Sequence, residues 1–193
     1  SGIGKALAQC FGSHGSRILI TGRNSGDLEA AVTELQSEGI IVHGFVGDVS
    51  QEADNYRMAE AAIAHYGRID ILINNAGITM RALFQDVDLS VIRKVMDINF
   101  FGALYATRAC LPQIMEHRGS VIGISSIAGY RGLPARAGYS SSKFALNGFL
   151  EVLRTELMKT GVHVLTACPG FTTSNIRKRS LTKDGTLQGD SPR

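Results

Sequence analysis

A chain of 193 residues with 44% hydrophobic and 19% charged residues has the make-up of one folded domain and excludes a disordered polymer. Its net charge of +3 at pH 7 is spread along the sequence without a basic cluster or aromatic platform, which argues against a nucleic-acid partner. No apolar run approaches the roughly 18 residues of a membrane span, and Cys10, Cys110 and Cys168 carry no metal-ligand spacing, so the reading is a reduced, cytoplasmic protein with no metal.

Helix and strand alternate from the start. Residues 3–14 carry Ile3, Leu7, Cys10 and Phe11 at helical spacing, closed by Gly12 and Gly15. Residues 17–21 are a short apolar run that predicts a buried strand, and 26–38 place Leu28, Ala31, Val32 and Leu35 on one helical face. Ile40 to Val46 is a second strand, 51–65 a helix closed by Gly67, and Ile69 to Ile73 a third strand. A long helix follows over 88–116, then a strand at 120–125, a helix at 138–159 and a strand at 162–167. Strands separated by helices of this length form right-handed crossovers. The expected fold is therefore α/β, a Rossmann-like, doubly wound parallel sheet in a three-layer α/β/α single domain covering 1–193. Both ends read as cut from a longer chain, since Ser1 replaces an initiator Met and the last residues are polar.

In such sheets ligands lie beyond the carboxyl ends of the strands, and the residues with chemical potential fall there. Gly2-Ile3-Gly4 at a helix start lets backbone N–H groups approach a pyrophosphate, or is a plain helix entry. Arg23 follows the first strand, where an acidic residue would hold the ribose of NAD and an Arg pairs with the 2′-phosphate of NADP, or is a solvated surface arginine. Asp48 and Val49 follow the next strand, placed to meet an adenine or to cap the following helix. Asn75-Ala76-Gly77 permits close approach to a ribose, or makes a tight turn. Tyr139 and Lys143 share one helix face; an ammonium nearby lowers a phenol's pKa and makes it a usable acid/base. Ser126, at a strand end, is placed to orient the same substrate oxygen, or is a turn serine, as Lys143 could be a solvated helix lysine. Asn99 falls within the buried stripe of the 88–116 helix, as a structural amide at a kink or the holder of a relay water. Pro169-Gly170 and Thr172 follow the last strand.

Taken in order, these residues resemble the short-chain dehydrogenase/reductase family over essentially the whole chain. The matching parts are Ser1 to Gly4 as the tail of its TGxxxGxG, Asn74 to Gly77 as its NNAG, Asn99, Ser126, Tyr139 with Lys143, and Pro169-Gly170. The resemblance implies Tyr139 as acid/base, Ser126 positioning the carbonyl oxygen, Lys143 on the nicotinamide ribose and Asn99 in the proton relay. It assigns Gly2, Ile3, Gly4, Arg23, Asn24, Asp48, Val49, Asn75, Ala76, Gly77, Tyr139, Lys143, Pro169, Gly170 and Thr172 to cofactor binding, with NADP(H) favoured over NAD(H) by Arg23. The family's first strand, which is central in its sheet, and its final helix and strand have no counterpart here, and its Thr five residues after the turn proline is Ser174. The chain alone is accordingly expected to fold poorly and bind cofactor weakly.

The expected activity is hydride transfer between NADP(H) and an apolar ketone, aldehyde or alcohol. The alternatives are a 3-oxoacyl-carrier-protein reductase and a non-catalytic NADP-binding scaffold or sensor. Candidate pocket walls are Ile78, Thr79, Met80, Ile127, Ala128, Tyr130, Leu133 and Phe171, with Arg131 and Arg136 as anion binders or surface arginines and 172–193 as the start of a substrate lid. By the resemblance the two long helices suit a homodimer or homotetramer.

Overall fold

A computed structural model of the chain describes residues 2–170, 172, 176 and 179–189. Five short strands rich in branched apolar residues run parallel: β1 (Ile18–Gly22), β2 (Val42–Val46), β3 (Ile71–Asn74), β4 (Ser120–Ile124) and β5 (His163–Ala167). Between them lie α1 (Ile3–Ser13), α2 (Ser25–Ser37), α3 (Glu52–Tyr66), α4 (Leu89–Met96), α5 (Gly102–Glu116) and α6 (Ala137–Glu156). The chain thus has the expected α/β, Rossmann-like order, parallel strands joined through helices.

The expected long helix over 88–116 is not continuous. A π-helical segment, Asp97–Phe101, separates α4 from α5, and Asn99 sits in its middle. Such single π turns re-aim side chains at functional sites. At the carboxyl end of the 120–124 strand a 3₁₀ turn, Ile127–Gly129, appears that sequence periodicity did not signal. Helix α6 ends at Glu156 rather than 159, where the chain turns toward Gly161 at φ 82°.

Strand pairing divides the sheet. Among the described residues β1 pairs with β2 alone, from Ile18 opposite Val42 to Gly22 opposite Val46. β3, β4 and β5 form a second sheet in that order, with Ser120 opposite both Ile71 and His163. The remaining edges of β1 and β3 line one cavity of about 1060 Å³. One strand of ordinary length, at sheet spacing and layer thickness, occupies about 900 Å³. The gap therefore has the size of a single strand, and it lies where the resemblance places the family's first strand. Ile71 is 41% exposed in a strand that a closed sheet would bury, for this reason.

The core follows the same division. Leu72, Ile114, Val121, Leu146 and Leu150 join α5 and α6 to β3 and β4, and Ala59 brings in α3. Ala8, Leu35, Ile40 and Val42 form a separate cluster that seats α1 and α2 on β1 and β2. A third cluster, Met80, Val87, Val91, Val95 and Leu181, ties the segment after β5 to the loop after β3. There Leu181 N–H donates to Thr79 O at 2.9 Å and Leu181 O accepts from Arg81 N–H at 2.8 Å.

Candidate active site

Helix α6 is apolar on the face that buries Leu146 and Leu150, and its first two turns carry polar groups into the same interior. Lys143 is one of them, only 4% exposed. Its ammonium donates to Ile124 O at 2.8 Å, at the end of β4, and lies 5.9 Å from the Tyr139 ring centroid. Burial disfavours the charged form and pushes the lysine down to about 8, with the Cys168 thiol at the end of β5 working in the opposite direction. At neutral pH the group is still mostly an ammonium, set one helical turn from the phenol.

Asn99 is 1% exposed, and protein groups satisfy its amide at both ends. Oδ1 accepts from Ile78 N–H at 2.8 Å; Nδ2 donates to Ile78 O at 2.9 Å and to Ser142 Oγ at 2.9 Å. Ser142 Oγ in turn donates to Tyr139 O at 2.8 Å. One unbroken chain of hydrogen bonds therefore runs from the loop after β3, through the π-helical segment, to the backbone of the tyrosine. The structural reading of Asn99 thus describes its side-chain bonds. Gly77 closes the same corner, since a Cβ there would lie 3.4 Å from Asn99 Oδ1 and 3.6 Å from Lys143 Nζ.

Ser126 enters from the end of β4 in extended conformation, half-buried. Its hydroxyl oxygen accepts from Ala128 N–H at 3.2 Å and so caps the 3₁₀ turn, which leaves the hydroxyl proton to donate. Tyr139 is half-buried and packs beside the Met80–Val91 cluster.

The dinucleotide candidates gather at the other end of the crevice. Gly4, Arg23, Asn24, Val49, Asn75 and Ala76 all line the large cavity, whose deeper walls are the core residues Ile69, Leu72 and Cys110. Asp48, Gly77, Tyr139, Lys143, Pro169 and Gly170 lie outside it. Helix α1 starts on Gly2 at φ 70°, with no side-chain cap and no acidic residue in its first turn, so its N-terminal amides point outward without a protein carboxylate. A Cβ on Gly4 would lie 2.5 Å from Asn75 Nδ2, so only glycine lets that helix start press against the 75–77 turn. Arg23 Nη1 stands 3.7 Å from Asp48 Oδ2. Asp48 Oδ1 accepts from Ser50 N–H and Ser50 Oγ at 2.9 and 2.8 Å, a turn-forming role alongside any contact with adenine. Asn24 caps α2 by accepting from Asp27 N–H at 2.8 Å. Val49 packs against the start of α5, where a Cβ on Gly102 would meet it at 3.1 Å. Thr172 reaches back to line a smaller cavity of about 310 Å³ with Gly2 and Ile3.

Comparison with known proteins agrees with this geometry. The family profile for short chain dehydrogenases matches residues 1–185. The chain belongs to the short-chain dehydrogenase/reductase family. It is similar to Dehydrogenase/reductase SDR family member 7B of Mus musculus, 36% identical over 194 residues, which cover 98% of this chain and 60% of that protein. It is also similar to 11-beta-hydroxysteroid dehydrogenase 1A of Arabidopsis thaliana, 36% identical over 181 residues, covering 91% of this chain and 51% of that protein. The chain thus spans about 60% of the length of the mouse relative and about half of the plant one.

Short-chain dehydrogenases bind a nicotinamide dinucleotide, and the residues here fit one. The uncapped α1 start, packed through Gly4 against Asn75, and the small residues Ala76 and Gly77 make a cradle for pyrophosphate and ribose. Two parts of the sequence reading need correction. Thr79, Met80 and Ala128 are 4%, 0% and 0% exposed, so they are packed core rather than pocket wall; Ile127 and Tyr130, at 41% and 63%, remain open. Arg136 is no simple surface arginine, because its guanidinium donates to Thr79 Oγ1 and Met80 O at 2.6 and 2.8 Å. Ser1, Phe171 and Ser174 lie outside the described residues. Ser142 was missed in the sequence; its one signal was its place three residues after Tyr139 on a helix.

Proposed function

We propose that the protein is an NADP(H)-dependent oxidoreductase that interconverts an apolar ketone or aldehyde and its alcohol. The observation that carries this reading is the buried Lys143 ammonium one helical turn from Tyr139, held by a backbone carbonyl rather than by a carboxylate that would cancel its charge. Bound in the crevice, the nicotinamide supplies or accepts the hydride. Tyr139 gives its phenolic proton to the carbonyl oxygen during reduction and takes it back during oxidation. Lys143 lowers the cost of the phenolate, and Ser126 donates to the same substrate oxygen. Asn99 and Ser142 position Tyr139 through its backbone.

Arg23 supports NADP(H). Its guanidinium stands at the end of β1, where an acidic side chain would repel a phosphate, and its side chain is 58% exposed. The open apolar walls Ile127 and Tyr130 support an apolar substrate. The plant relative is named for a hydroxysteroid, in line with that class. We place the protein in the cytoplasm as a homodimer or homotetramer. Exposed apolar side chains, Phe101 on the π-helical segment and Phe144 and Val152 on α6, support the assembly.

Paired fluorescence titrations with NADPH and NADH test the cofactor. A phosphate held by Arg23 makes NADPH bind about tenfold tighter, and Arg23→Gln removes that preference. Equal affinities in the unmodified protein would refute the NADP(H) assignment.

A further inference from the structure

Arg179 stands in the segment after β5 that the resemblance assigns to the substrate lid, yet it reaches the cofactor end of the crevice. Its Nη2 lies 3.5 Å from Asp27 Oδ2, in the first turn of α2. Asp27 is held there through its backbone N–H by Asn24 Oδ1, and Asn24 adjoins Arg23. Arg23 and Arg179, from distant parts of the sequence, are thus both placed at the start of α2. The same segment is already over the crevice at Thr172, which lines the small cavity with Gly2 and Ile3 at the start of α1.

The ion pair does not explain itself by stability. Both side chains are more than half exposed, 59% for Arg179 and 70% for Asp27, and such pairs contribute little. A guanidinium carries five donors in a fork that matches phosphate oxygens. Among the described residues, Arg179 and Arg23 each show one ion-pair contact, at 3.5 and 3.7 Å. A dianionic phosphate between them outcompetes a single carboxylate for both.

We propose that Arg179 is a second specificity-determining residue for the cofactor's 2′-phosphate, placed with Arg23 at the start of α2. The inference rests on the NADP(H) reading of Arg23. Asp27 keeps Arg179 at the α2 start, and the phosphate then draws the guanidinium to itself.

Binding of 2′,5′-ADP and of 5′-AMP, which differ in the 2′-phosphate alone, tests it without turnover. Titrations compare the unmodified protein, Arg23→Gln, Arg179→Gln and Arg179→Lys. Arg179→Gln is expected to raise the Kd for 2′,5′-ADP about three- to tenfold and to leave 5′-AMP and the ligand-free melting temperature unchanged, with Arg179→Lys recovering part of the loss. Loss of 2′,5′-ADP affinity in Arg23→Gln but not in Arg179→Gln overturns the inference and leaves the NADP(H) reading standing. Equal affinity of the unmodified protein for the two nucleotides overturns both.

Discussion

Replacing Lys143 with Met should separate catalysis from stability, moving them in opposite directions. At 5.9 Å from the ring centroid, the ammonium is close enough to stabilise negative charge that builds on the phenol oxygen during proton transfer. Its loss should reduce oxidation at pH 7 by about a hundredfold. Stability responds in the other sense. The native lysine holds its proton less tightly than the unfolded chain, about 8 against 10.5. The cost of burying the ammonium is therefore fully present below pH 8 and is relieved as pH rises from 8 toward 10.5; at pH 7 it is about 3 kcal/mol. Met removes that cost but also the hydrogen bond to Ile124 O, a loss of about 1–2 kcal/mol. The variant should be about 1–2 kcal/mol more stable at pH 7, with the advantage fading by about pH 10. Urea unfolding at several pH values and the rate of oxidation at pH 7 measure both quantities. A variant that is less stable by a pH-independent amount, or that keeps its rate, would refute the reasoning.

Tyr139→Phe should lower kcat about 10²- to 10⁴-fold in a steady-state assay while cofactor affinity, read by fluorescence, changes by less than about twofold. Ser142→Ala breaks the link between Asn99 and the Tyr139 carbonyl inside a fully buried site, so urea denaturation should show a loss of about 1–2 kcal/mol. Gly119→Ala would drive a methyl into Asp70 O, a backbone atom that cannot rotate away, and should lower the thermal midpoint by the equivalent of about 1–3 kcal/mol.

The order of elements was legible because buried parallel strands are short runs of Val, Ile and Leu between helical stretches, a contrast that needs no tertiary information. Residues at strand ends were legible for the same reason: the chain direction of a parallel sheet puts Arg23, Asp48, Asn75, Ser126 and Pro169 on one side. What escaped were features set by contacts across the fold. The interruption at Asp97–Phe101 answers to Ile78 and Ser142, neither near it in sequence. Among Ser140, Ser141 and Ser142, composition cannot single out the one that meets Asn99. The burial of Met80 and Ala128 depends on Val91, Leu181 and α6, so apolar character alone placed them wrongly on a pocket wall. The pairing of Arg179 with Asp27 likewise has no local signature.

The division of the core has a thermodynamic consequence. Within these 193 residues, Ala8, Leu35, Ile40 and Val42 and the cluster around Ile114, Val121 and Leu150 are separate packing units with no ladder joining β1 to β3 among the described residues, so in this span they can melt separately. One unit carries Arg23, the other Tyr139 and Lys143. A ligand long enough to touch both would act as a tie-bar between two foldons, and its binding energy would appear as cooperativity: amide exchange in the β1–β2 unit would slow toward that of β4 as the dinucleotide concentration rises.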